Sequence, residues 1–235
     1  MFPIIILAGG LATRLYPLTK TIPKSLVPIA GQPFVFHQLR LLRNKGITEV
    51  ILCVGTMGDQ IEACVKDGAD FGVHVRYSYD GDVLLGTGGA VKKAAQSVST
   101  PFFVLYGDSY LPIDYQTVQT AFENTRKKAL MTVFKNEGQW DQSNVVFKDG
   151  KILVYDKSIR APEMCYIDFG LGLFHPSLFE AYPKNEVLDL ATVYQNCLAR
   201  NELAAYEVFK RFYEIGTLHG VDKMEEYFAH QSLIK

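Results

Sequence analysis

Hydrophobic positions along the 235-residue chain fall into short runs of strand length separated by amphipathic stretches of helix length. That alternation predicts a mainly parallel sheet flanked by helices. The first run, Ile4 to Leu7, meets Gly9-Gly10 and then a loop rich in Gly, Thr and Pro that lasts to Gln32. A helix over 34–44, a strand over 49–54, a helix over 59–66 and a strand over 73–77 read as βαβ units. The glycine cluster 86–89 opens a short helix that runs to Ala95. The run 102–106 predicts a central strand leading directly into Gly107-Asp108.

A helix over 115–127 and a strand over 129–134 follow. Asp149-Gly150 then separates Val145-Val146-Phe147 from Ile152-Leu153-Val154, a hairpin signal that brings in antiparallel strands. The last third predicts a strand over 166–174, helices over 177–181 and 190–200, a strand over 204–208 and a helix over 221–230. No linker, repeat or low-complexity stretch interrupts it. The expected fold is one α/β domain over 1–235, with a Rossmann-like, mainly parallel sheet in 1–135. A smaller antiparallel or mixed sheet in 136–235 would cap the carboxyl ends of the first, where open α/β sheets take ligands.

Composition narrows what such a fold could do. A hydrophobic content of 48% supports a sizeable core. The net charge of −1, from 24 basic and 25 acidic residues, provides no general field for nucleic acid or a membrane surface, so phosphate binding must be local. Cys53, Cys64, Cys165 and Cys197 stand far apart, and the five histidines show no ligand spacing, which predicts buried thiols rather than a Cys/His metal centre. The apolar run 2–8 is short and lacks a basic leader, so neither a signal peptide nor a membrane span is expected and the cytosol is the expected compartment.

The densest chemistry lies in Leu7-Ala8-Gly9-Gly10-Leu11-Ala12-Thr13-Arg14-Leu15, continuing through Pro17-Leu18-Thr19 to Pro23-Lys24-Ser25-Leu26-Val27-Pro28-Ile29. A strand ending in paired glycines lets backbone press close to a ligand and offer N–H donors to phosphate oxygens. Arg14 and Lys24 add positive charge beside that nest. The segment lacks the G-x-x-x-x-G-K-[ST] and G-x-G-x-x-G spacings of other nucleotide loops.

Leu85-Gly86-Thr87-Gly88-Gly89-Ala90 sits at a loop-to-helix junction, where a base or ribose could lie against the backbone and helix-terminal N–H groups could bond it. Asp108, at the end of an apolar strand, suits Mg²⁺, which takes one or two protein carboxylates plus substrate phosphates. Glu214, before Ile215-Gly216-Thr217, is the candidate second carboxylate. Lys157 follows the hairpin where a second phosphate could be held, and Asp168, near Gly170, could accept bonds from sugar hydroxyls. Trp140 is expected in a loop flanking the sugar side, in a packing role.

Together these segments resemble the sugar-1-phosphate nucleotidyltransferases over nearly the whole chain, and the short length looks like compact members. Those include heptose-1-phosphate guanylyltransferases and N-acetylmuramate-1-phosphate uridylyltransferases. The resemblance implies a nucleotide held by Leu7, Ala8, Gly9, Gly10, Thr13, Gly86, Thr87 and Gly88, with Arg14, Lys24 and Asp108 at the reacting phosphates. It implies Mg²⁺ on Asp108 and Glu214, and a sugar phosphate gripped by Lys157, Asp168 and Gly170. Two departures stand out. The family usually has Asp where this chain has Glu214, and its E-K segment is Asp156-Lys157 here, shorter by one methylene.

The implied reaction joins a nucleoside triphosphate, GTP or UTP by preference, to a heptose or hexose 1-phosphate for cell-surface glycan synthesis. A cytidylyltransferase for a small phosphorylated alcohol or phosphonate, and a catalytically silent nucleotide-sugar sensor, are the rival readings. An apolar patch on the C-terminal half would suit a homodimer.

Overall fold

In a computed structural model, which describes residues 1–10, 12–183 and 187–233, the first hydrophobic run forms β1 (Ile4–Leu7) in the interior of a nine-stranded sheet. Leu11 of the glycine-rich segment lies outside the described residues. Two short strands, β2 (Pro28–Ile29) and β3 (Gln32–Pro33), pair within the long loop that follows. Helix α1 (Phe34–Asn44) leads to β4 (Glu49–Val54), α2 (Gly58–Val65) to β5 (His74–Tyr79), and α3 (Gly86–Ala95) to β6 (Phe102–Tyr106). These four longer strands run parallel in the order β5-β4-β1-β6. The chain steps outward from β1 to β4 to β5 and then crosses back through α3 to the far side of β1. The direction of winding therefore reverses between β1 and β6, which opens a crevice at their carboxyl ends.

The second half consists of β7 (Ser109–Tyr110), α4 (Tyr115–Glu123), β8 (Ala129–Lys135), β9 (Val145–Lys148), β10 (Lys151–Tyr155) and β11 (Tyr166–Phe174). Then come α5 (Leu190–Ala199), β12 (Leu203–Val208), β13 (Tyr213–Glu214) and α6 (Leu218–Leu233). Strand β11 joins the halves. Leu171 to Phe174 pair antiparallel with β6, while its opposite edge pairs with β8, and β12 lies parallel to β8. The antiparallel strands expected in the second half are thus continuous with the parallel sheet. A separate small ladder is formed by β7 and β13, which sets Glu214 opposite Ser109.

The pleat sorts the core into two layers. Ile4, Ile6, Val50, Leu52, Phe103 and Leu105 face α1, α2 and α4, whereas Ile5, Ile51, Cys53, Phe102 and Val104 face α3 and α5. Ile4, Ile5 and Ile6 are fully buried, each contributing roughly 1.5–3 kcal/mol by area transfer. Helix α1 meets the sheet through Val35, Leu39 and Leu42, spaced for one helical face. A third apolar cluster joins Leu15, Val27, Ile29 and Phe34 to Tyr110, Ile215 and Met224, packing the long loop against the β7–β13 ladder and α6.

Several expectations need correction. Helix α4 ends at Glu123 rather than Lys127, because Lys128 and Ala129 N–H groups already bond Glu202 O at the entry to β8. Cys53 and Cys197 are buried, but Cys64 is exposed and Cys165 half-buried; all four are free thiols. Among the described residues no helix is long and apolar enough to cross a membrane.

Candidate active site

Close backbone contacts at the ends of β1, β4 and β6 explain why the sequence is glycine-rich there. A Cβ on Gly107 would lie 2.4 Å from Leu7 O, and one on Gly55 would lie 2.7 Å from Gly9 O. Gly10 differs: a Cβ there would meet nothing within 4 Å, so its backbone faces open space. The chain then turns through a short helical segment, Thr13–Leu15, and Thr19 Oγ1 donates to Ala12 O at 2.8 Å to fold the loop back. A second such segment, Lys24–Leu26, brings Lys24 to the end of β6, where Nζ donates to Asp108 Oδ2 at 2.8 Å.

Two cavities meet at this point. The first, about 240 Å³, has Leu7, Ala8, Gly9 and Gly10 on one wall, Gly86 and Thr87 on another, and Lys24 and Asp108 among its lining. The second, about 360 Å³, is lined by Arg14, Asp108, Lys157, Asp168, Gly170 and Glu214 together with Asp141, Gln142 and Asn144. Tyr106 and Asp108 line both and form the boundary between them.

The second cavity is electrostatically mixed. Burial raises the Glu214 pKa, and the charges of Asp108 and Asp141 raise it further, while Arg14 and Lys24 oppose them. Burial also raises Asp168, opposed by Lys157 and by hydrogen bonds from Gly170 N (3.0 Å) and Tyr155 Oη (3.3 Å). Gly170 has φ +92°, a backbone conformation that glycine adopts freely, and it brings its own N–H back onto Asp168. Lys157 Nζ donates to Tyr106 Oη at 3.2 Å and lies 5.1 Å from the centre of that ring.

Asp108 and Glu214 are neighbours through the β7–β13 ladder, since Ile215 N donates to Asp108 O at 2.9 Å. Two hard carboxylate ligands facing one cavity fit Mg²⁺ completed by substrate oxygens. Both carboxylates line the second cavity, and the charge of Asp108 adds to burial in raising the Glu214 pKa. Among the described residues no cluster of three or more His, Cys, Asp or Glu side chains could hold an ion unaided.

Four residues singled out in the sequence stand apart from the first cavity. Gly88 does not line the first cavity: its N–H, with that of Gly89, bonds Leu188 O, and a Cβ there would come within 2.8 Å of Leu188 Cγ. Two of the helix-start donors expected for a ligand are therefore engaged internally. Thr13 is exposed and lines neither cavity. Arg14 lines the second cavity rather than the first, and a Cβ on Gly216 would lie 3.3 Å from an Arg14 guanidinium nitrogen and 3.5 Å from Asp108 Oδ2. Asp156 caps its own turn, accepting from Ser158 N and Oγ and from Ile159 N, so its shorter side chain does not reach either cavity.

Several lining residues carry no sequence signal. Asp80, Leu84 and Cys53 reach the first cavity from β4 and the segment after β5, as Asp141, Gln142 and Asn144 reach the second from the β8–β9 loop. Tyr106 adjoins the Gly107-Asp108 motif and could have been found from it.

The nucleotidyl transferase family model matches residues 4–144. The chain is 31% identical over 204 residues to UTP–glucose-1-phosphate uridylyltransferase of Synechocystis sp., covering 79% of this chain and 52% of that protein. It is 28% identical over 219 residues to N-acetylmuramate alpha-1-phosphate uridylyltransferase of Neisseria meningitidis serogroup B, covering 91% of this chain and 93% of that protein. It thus spans about half the length of the first relative and nearly all of the second. The crystal structure of HddC from Yersinia pseudotuberculosis shares the fold, with a TM-score of 0.81 at 24% identity, covering 97% of this chain and 100% of that one. With its strand order, its glycine-lined crevice and a matching model over more than half its length, this chain belongs to the nucleotidyl transferase family.

Proposed function

We propose that the protein transfers a nucleotidyl group from a nucleoside triphosphate to a sugar 1-phosphate, releasing pyrophosphate, with Mg²⁺ as cofactor. The observation that carries this reading is the meeting of two cavities at Asp108 and Tyr106, one walled by glycines and the other by carboxylates, Arg14 and Lys157. The activities that name the two relatives support it, and they favour UTP with a hexose derivative.

In this reading the base and ribose lie in the first cavity, between the Gly9-Gly10 backbone and Gly86-Thr87. The triphosphate runs past Lys24. The sugar occupies the second cavity, with its hydroxyls bonded by Asp168, Asn144 and Gln142 and its phosphate held by Lys157 and Arg14. An oxygen of that phosphate attacks the α-phosphorus in line, forming a new P–O bond as the bond to pyrophosphate breaks. The nucleophile is already an anion near neutral pH, so no general base is needed. The chain's task is to align two polyanions and offset their repulsion. Asp108 and Glu214 would hold Mg²⁺, which supplies Lewis-acid neutralisation of phosphate charge.

The test is pyrophosphate release from each triphosphate with a panel of sugar 1-phosphates and Mg²⁺. Release with at least one sugar phosphate is expected. Release only from CTP with a phosphorylated alcohol or phosphonate, or no release above background, would overturn the assignment.

A further inference from the structure

One wall of the second cavity is braced by contacts outside both cavities, among them hydrogen bonds of Gln142 with Ile159 O and Arg160 Nε and an aromatic stack on Trp140. Asp141 and Gln142 lie on the loop between β8 and β9. Within that loop Asn136 Nδ2 donates to Asp141 O at 2.7 Å and to Ser143 Oγ at 3.0 Å, so its residues hold together as a unit. Across from it, the segment leading to Glu214 contributes Arg211. The guanidinium carbon of Arg211 lies 3.7 Å from the centre of the Trp140 ring and 4.9 Å from that of Tyr213. Tyr213 in turn packs on Tyr227 of α6, with ring centres 4.4 Å apart.

Arg211 touches no ligand space, since it lines neither cavity. Among the described residues it has no carboxylate partner, and its Nε is buried without a hydrogen-bond partner. The faces of its guanidinium are given to aromatic rings, of which indole attracts a cation most strongly.

We propose that Arg211 is a positioning residue for the acceptor: stacked against Trp140 and Tyr213, it holds the 136–144 loop, and with it Asp141 and Gln142, against the cavity that receives the sugar phosphate. The proposal rests on the nucleotidyl-transfer reading. Without the stack the loop samples undocked positions, and acceptor affinity falls by the fraction of molecules left competent. The first cavity shares no residue with the loop, so triphosphate binding is untouched.

Steady-state kinetics with each substrate varied in turn test this. Arg211→Ala is expected to raise the acceptor KM about fivefold, the upper scale of a cation–π contact on a solvent-exposed ring, while kcat and the triphosphate KM stay within about twofold. Trp140→Ala should match it, Trp140→Phe should stay near wild type, and the double variant Arg211→Ala/Trp140→Ala should be no worse than either single one. Trp140 is the only tryptophan, so its emission should shift in folded Arg211→Ala. An unchanged acceptor KM, an equal rise in the triphosphate KM, or additive effects in the double variant would each overturn the proposal. A wild-type protein that turns over no sugar phosphate defeats the functional reading itself, and this proposal with it.

Discussion

Lys24 Nζ and Asp108 Oδ2 lie 2.8 Å apart, so the ammonium assigned to the phosphates and the carboxylate assigned to the metal neutralise each other in the free protein. A magnesium–triphosphate complex offers a new partner to both at once, whereas the metal alone satisfies Asp108 and strands Lys24. Metal and nucleotide should therefore bind together.

Replacing Lys24 by Ala tests this exchange. Turnover should fall by roughly 10² or more, as for the loss of one transition-state charge contact. Mg²⁺ binding to the nucleotide-free protein should tighten, because Asp108 loses its competing cation. Calorimetric titration and a turnover assay measure the two effects. A loss of only a few-fold in turnover would remove Lys24 from the reaction.

Asp108→Asn keeps the shape of the side chain and removes its charge. Metal-dependent activity should disappear while the melting temperature stays within a few degrees, consistent with a change of about 1 kcal/mol in a chain of 235 residues. An unaltered Mg²⁺ titration curve would make Asp108 structural.

Packing between β11 and α5 gives a stability test away from the site. A Cβ on Gly172 would lie 2.0 Å from Tyr194 Oη, and both residues are buried. Gly172→Ala should cost at least about 1–3 kcal/mol as overpacking, lowering the urea midpoint. Adding Tyr194→Phe removes the clashing oxygen and should recover part of the loss. No recovery would mean that the strain lies elsewhere.

The His37 ring is packed against Phe228, and its Nε2 bonds Ile29 O at 2.8 Å. Burial lowers its pKa below the ordinary 6.5, opposed by that bond. The unfolded chain then binds the proton more readily, so the stabilising contribution is present above 6.5 and lost as pH falls from there toward the folded value. Between pH 7.5 and 5.5 His37→Gln should lose less stability than the wild type. Raised carboxyls such as Glu214 and Asp168 act with the opposite sign but are common to both proteins, so the difference isolates His37. Equal pH slopes would refute the assignment.

The elements were readable where one local signal dominated. Ile4 to Leu7 before Gly9-Gly10, and Phe102 to Tyr106 before Gly107-Asp108, are apolar runs stopped by glycine, and both form central strands. Residues whose place is set by tertiary packing were not readable. Gly88 has the look of a ligand contact, yet the approach of Leu188, a hundred residues away, decides its surroundings. Arg14 likewise lies beside Gly216, two hundred residues away in sequence, and the partnership of Arg211 with Trp140 bridges segments with no sequence relation.

Strand β11 is hydrogen-bonded to β6 on one edge and to β8 on the other, so the walls of both cavities grow from one unbroken sheet. Such a frame ties the two halves together through backbone hydrogen bonds. In the proposed reaction, gripping and releasing the reactants would fall to loops at its rim, such as the segment before α3 and the Trp140 loop. The pace of catalysis would then be set by how quickly these short segments order and let go.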